Sequence, residues 1–209
     1  MTDRLLILGW HNADPTPFFP SAPRSAAKGL ARQLGAIRRM GNVVALDDAL
    51  SALDEGRPLP PRAVALTFDD GYQDNLDTVA PMLSRMGLPA TFYLVPGLLD
   101  RTARPWWEPI ASAFTHATRP AIDWRGSTVP SGTGAAARAA FGAVAEDVKR
   151  VDRVERDALV DDLVERLAPR GSEADVAALF MDWDGARRLA RTATIGSHSS
   201  FHAILSQES

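Results

Sequence analysis

Two clusters of residues could do chemistry. The first is Thr67-Phe68-Asp69-Asp70-Gly71, where an apolar run ends on adjacent carboxylates and a glycine. The second is His198-Ser199-Ser200-Phe201-His202, two imidazoles four residues apart, which one helical turn would bring to a single face. Two carboxylates held close repel unless a cation or a proton lies between them. The pair therefore suggests one Asp on a metal and one free to move protons. The bland alternatives are an Asp-Gly turn after a strand and a pair of surface or capping histidines. No Glu follows His198, so the helical metalloprotease pattern is absent. The alternating Asp spacing of a calcium loop is not met either.

Taken together, Asp70, His198 and His202 make a three-ligand set with a position left open, the pattern of catalytic rather than structural zinc. Such an ion acidifies its water and polarises a bound carbonyl. Asp69, beside Asp70, is the candidate base. Composition supports that choice of ligands. Cys is 0, which excludes a thiolate site, a Cys nucleophile and a disulfide framework, and leaves the 4 His and the carboxylates as strong ligands. A formal net charge of -3 over 209 residues lacks the basic surplus of a general nucleic-acid binder. A hydrophobic content of 45% is ordinary for a globular chain and argues against disorder.

The elements that must position these clusters alternate between strand and helix. Leu5 to Leu8 reads as a buried strand, followed by a loop carrying Pro15, Pro17, Pro20 and Pro23. Ser25 would cap a helix through Leu30, Leu34 and Ile37. Strands are expected at 43–46, 63–68 and 90–95, with helices between them, one of which stops at Gly87. That order points to a mainly parallel α/β sheet or barrel, with chemistry at the C-terminal ends of its strands. Residues 102–181 differ: a helix from about Trp106 to His116, a Gly/Ser/Thr/Pro-rich loop over 124–134, and a charged helical stretch over 135–167. They read as a mainly helical insertion on the α/β scaffold. A helix over 183–191 and a strand or turn at 194–197 then lead to the histidine pair.

The two clusters resemble the first two motifs of the polysaccharide deacetylases, the NodB-homology group or carbohydrate esterase family four. Asp77 to Pro81 and Gly87-Leu88-Pro89-Ala90-Thr91-Phe92 look like that family's helix and strand after its first motif. The resemblance covers roughly residues 5–96 and 183–205. It implies removal of acetyl groups from an acetylated sugar or polysaccharide precursor, on a distorted (β/α) barrel, with a divalent metal, most simply Zn2+. Position by position, it implies Asp69 as catalytic base and Asp70, His198 and His202 as metal ligands. The family also has three later motifs, supplying an Arg that orients the base, an acyl-pocket wall and a His acting as general acid. Only 7 residues follow His202. The chain is therefore expected to be a single incomplete deacetylase-like domain over 1–209, the N-terminal portion of a barrel, weakly active or inactive by itself. Exposed strand edges or apolar surface should mark where further strands would pack.

Two further residues are candidates for contact with substrate. His11 lies just past the first strand, at the edge where the metal site would form, and either lines the pocket or caps the strand end. Trp106, with Trp107, could offer an aromatic platform to a sugar or could anchor the helical region on the core. A non-catalytic carbohydrate-binding relative and a hydrolase of non-sugar linear or cyclic amides stand as alternatives. No leader or membrane-spanning run is visible, so the expected setting is cytoplasmic, without nucleic-acid or membrane partners. Oligomeric state is not legible.

Overall fold

The computed structural model describes residues 4–20, 26–170 and 174–208. The expected cap at Ser25 lies outside the described residues. Strand β1 (Leu5–Trp10) is followed by the proline loop and helix α1 (Ala26–Met40), whose Leu30 and Leu34 are buried. A short strand β2 (Asn42–Val43) leads straight into α2 (Leu46–Asp54). The expected strand over 43–46 is thus cut to its first part. Asp47 sits in the first turn of α2, while Ala45 occupies the cap without a side-chain bond.

Strand β3 (Ala63–Asp70) is the spine, because an unbroken apolar run needs cover on both faces. A π-helical turn (Asn75–Val79) runs into α3 (Ala80–Met86), which ends on Gly87 at φ 65°, a left-handed cap that favours glycine. β4 (Thr91–Leu94) and a single turn, α4 (Pro96–Leu99), follow. Next come α5 (Trp107–His116), β5 (Ala121–Trp124), β6 (Ser127–Pro130), α6 (Ala135–Val148) and α7 (Arg153–Leu167). Short α8 (Ala174–Ala177), α9 (Trp183–Leu189) and β7 (Thr194–Ser197) complete the order.

All pairings in the main sheet are parallel, in the order β1-β3-β4-β7, with β2 beside the start of β3. The fold is α/β, as the strand–helix alternation requires. β1 and β7 are its two ends, so among the described residues the sheet stays open and no barrel closes. The expected apolar exposure is present on β1, where Leu6 and Ile7 are 55% and 49% exposed.

The core is split. One cluster joins Leu30, Leu34, Leu66, Phe68, Phe92 and Met181 around the sheet. Another joins Trp106, Trp107, Ile110, Ile122, Val160 and Leu163 within the helical region. One local expectation for that region is corrected and another refined. The 124–134 loop begins as an antiparallel hairpin, β5 with β6, turned by Arg125 and Gly126, both at positive φ. The 135–167 stretch is two helices, parted before Asp152, whose side chain accepts from the Glu155 N–H at 2.9 Å and starts α7.

Candidate metal centre

Register builds the site. Asp70 pairs with Leu94, and Leu94 pairs with Ser197, so the first carboxylate of interest and the end of β7 share one row across the sheet. His198 is the next residue, anchored by its backbone N–H donating to the Leu94 carbonyl at 2.8 Å. On the other side β1 pairs Trp10 with Phe68, so His11 emerges one residue beyond that pair, beside Asp69. The C-terminal edge of the parallel sheet thus gathers Asp69, Asp70, His11 and His198, where α/β folds place ligand sites.

The turn after β3 orients the carboxylates. Asp70 has φ 73° and Gly71 φ 81°, and consecutive left-handed residues end the strand abruptly. Asp70 is buried, its side chain only 3% exposed, while Asp69 is half-buried at the rim. Asp70 Oδ1 lies 3.2 Å from His202 Nε2 and 3.6 Å from His198 Nε2. One ligand atom from each of the three residues falls within 4.8 Å of the others.

The histidine segment is not the helical turn that the four-residue spacing suggests. Residues 198–202 are irregular, with Ser199 at φ 62° and His202 at φ 52°. The loop closes on α4, where the Gly97 N–H donates to the Ser200 carbonyl at 2.9 Å. A Cβ on Gly97 would lie 2.7 Å from that same oxygen, so only glycine permits this approach. The His202 ring packs at 4.4 Å against Trp107, tilted by 48° and brought in by α5.

The residues present fit a divalent cation. Asp70 Oδ1 is buried without a hydrogen-bond partner, an expensive state for a carboxylate unless a cation sits against it. Two imidazole nitrogens face the same oxygen, and a His2Asp set suits zinc and its neighbours without selecting among them. Burial lifts the Asp69 carboxyl above the usual range, opposed first by His198, then by His11, with Asp70 adding to the rise and His202 to the fall. Asp69 therefore feels both ligand histidines and His11. His11 is exposed and stacks on Phe19 at 5.1 Å, and its carbonyl accepts from Asn75 Nδ2 at 3.0 Å.

Trp106 is placed away from any open face. It is 5% exposed, edge-on to Trp107 and under the Arg156 guanidinium, which makes it an anchor of the helical core rather than a sugar platform. Sequence reasoning did not single out Glu108 or Tyr72, which stand with Trp107 directly behind the site. Glu108 reads locally as an ordinary first-turn acid, and only its complete burial reveals otherwise.

A parallel α/β sheet with two imidazoles and two carboxylates at its strand ends defines the class: an α/β protein with a candidate metal centre. The chain belongs to the polysaccharide deacetylase family, whose family model matches residues 56–209. It is 32% identical over 99 residues to the poly-beta-1,6-N-acetyl-D-glucosamine N-deacetylase of Escherichia coli K12. That match takes in 47% of this chain but only 15% of the E. coli protein. Among solved structures, it is similar to a de-N-acetylase from Aggregatibacter actinomycetemcomitans, with a TM-score of 0.50 and 19% identity over 94% of this chain and 55% of that one. A deacetylase domain from Bordetella bronchiseptica shares 20% identity at a TM-score of 0.47, over 94% of this chain and 55% of that one. Among the described residues no helix is long and apolar enough to cross a membrane.

Proposed function

We propose that these residues form the catalytic part of a metal-dependent N-deacetylase acting on a polymer of N-acetylated sugars. The observation that carries this reading is the convergence of His198 and His202 on the orphaned buried oxygen of Asp70, beside the free carboxylate of Asp69. The kinship with an enzyme named for poly-beta-1,6-N-acetyl-D-glucosamine supports the substrate class.

Asp70, His198 and His202 would hold the ion, with zinc as the simplest occupant. A divalent cation there supplies Lewis acidity, which polarises the acetamide carbonyl and makes water more acidic. Asp69 takes the proton of the attacking water. Burial raises its basicity, and the surrounding imidazoles oppose that rise. His11, on the Asp69 side of the edge, hands a proton to the leaving sugar nitrogen, so that amide and water become amine and acetate.

The test is acetate release from an N-acetylglucosamine oligomer by the zinc-loaded chain, alongside Asp69→Asn and His11→Ala. Both variants should keep zinc and lose turnover by roughly 100-fold or more, the usual worth of a positioned acid or base. Oligomer binding with no acetate release from the unaltered chain would instead make it a carbohydrate-binding relative.

A further inference from the structure

Metal-ligating histidines almost always donate their second ring nitrogen to a carboxylate, carbonyl or water, which fixes the ring. His202 departs from that rule. Its Nδ1 is buried and has no hydrogen-bond partner, so the ring is oriented by packing, and the ring it packs on is Trp107 at 4.4 Å. Whatever holds Trp107 therefore holds the ligand.

Trp107 is held by a buried relay. Its indole N–H donates to the Tyr72 hydroxyl at 2.7 Å, and that hydroxyl donates to Glu108 Oε1 at 2.7 Å. Glu108 is 0% exposed and uses the rest of its acceptor capacity on the loop after His11. Oε1 accepts from the Thr16 hydroxyl at 2.7 Å, and Oε2 accepts from the Phe18 N–H at 3.0 Å. Thr16 in turn accepts from the Phe19 N–H at 3.0 Å, and Phe19 is the ring that stacks on His11.

Burying a carboxylate with no cation directly on it is costly, and a helix first turn could leave Glu108 in water at no cost to α5. Its three donors come from two chain segments that each end on a site residue. We infer that Glu108 is a positioning residue for the centre, holding His202 through Tyr72 and Trp107 and holding the His11 loop through Thr16 and Phe18. The helical region therefore serves the site as a brace, and one carboxylate sets both the ligand side and the proton-donating side. The inference rests on reading Asp70, His198 and His202 as metal ligands.

The test is zinc affinity, by calorimetry and by competition with a chelator, set against thermal unfolding of the metal-free chain. Tyr72→Phe keeps the ring on Phe180 (4.4 Å) but cuts the relay. It should weaken zinc binding about tenfold, the low end for an outer-sphere partner of a ligand. Glu108→Ala should weaken it more, and Glu108→Gln, which keeps one acceptor oxygen, should recover part of the loss. Ile122→Val, in the same apolar cluster but outside the relay, should lower Tm and leave zinc affinity unchanged. Unchanged zinc affinity in Tyr72→Phe would overturn the inference, even if Glu108→Ala fails to fold. A loss in Ile122→Val matching that in Tyr72→Phe would also overturn it, reducing the relay to general stability. If the unaltered chain binds no zinc, the functional reading itself fails, and that result is distinct from a relay that does not matter.

Discussion

β3 and β7 each deliver a residue to the same point with opposite kinds of support. β3 is buried at nearly every residue, and Asp70 inherits its position from a strand packed on both faces. β7 is exposed at three of its four positions. The histidines after it take their positions from ties to other elements: the Leu94 carbonyl, the Gly97–Ser200 bond and the Trp107 ring. One half of the centre is built by secondary structure and the other by tertiary contact. The strand half should tolerate loss of its functional group without unfolding, whereas the loop half should fail when a remote contact is spoiled.

The largest effect is expected on the strand side. Asp70→Asn keeps the volume and the tolerance for positive φ but removes the anionic ligand. Zinc affinity should fall by more than about 100-fold, beyond what an outer-sphere partner is worth. The metal-free Tm should hold or rise, because a buried oxygen without a partner no longer carries charge. Calorimetry with thermal unfolding checks both halves. A clear drop in the metal-free Tm would show that Asp70 is a structural group and would erase the contrast with β7.

The loop side is sharpened by two glycines. In Gly97→Ala the new Cβ would meet the Ser200 carbonyl and the Ala103 Cβ, each at 2.7 Å, so the loop carrying both histidines must move. The expected cost is about 1–3 kcal/mol of stability, with weaker zinc binding that no contact to the ion explains. Gly126→Ala, at φ 78° in the hairpin turn with nothing near its Cβ, should cost about 1 kcal/mol from backbone strain alone and leave zinc binding untouched. Equal effects of the two on zinc affinity would mean that the histidine loop is not held where Gly97 meets it.

The same contrast explains what the sequence could disclose. β3 was legible because an apolar run ending in Asp-Asp-Gly carries its own boundary. Asp70 followed, since a strand end fixes what comes next. The histidine pair was legible in kind but not in geometry. Its spacing suggested a helical turn, yet Ser199 and His202 adopt left-handed conformations that only the contacts with α4 and α5 impose. The β5–β6 hairpin was missed because its Arg-Gly turn is a weaker signal than Asn-Gly. Glu108 was invisible for a different reason. Its donors Thr16 and Tyr72 lie 92 and 36 residues away, and no local pattern separates a buried acid in a first turn from an exposed one.

The smallest expected effect concerns a tie on the strand side. Asp74, past the end of β3, accepts from the Ala13 and Asp14 N–H groups, each at 2.6 Å, and so pins the start of the loop after His11. Its other oxygen is buried without a partner. Burial raises its pKa to about 6, against the lowering effect of those two backbone bonds. An unfolded carboxyl titrates near 3.8, so from there to about 6 the folded chain holds a proton that the unfolded chain has released. Stability from this group is thus greatest below the unfolded value and declines as pH rises through the folded one. Asp74→Asn can keep an acceptor for both N–H groups and has no charge to bury. Urea unfolding at pH 4.5 and 6.5 should show the variant gaining on the parent chain as pH rises, by on the order of 1 kcal/mol. A constant difference between the two chains across that window would mean that Asp74 is as well solvated as a surface carboxylate.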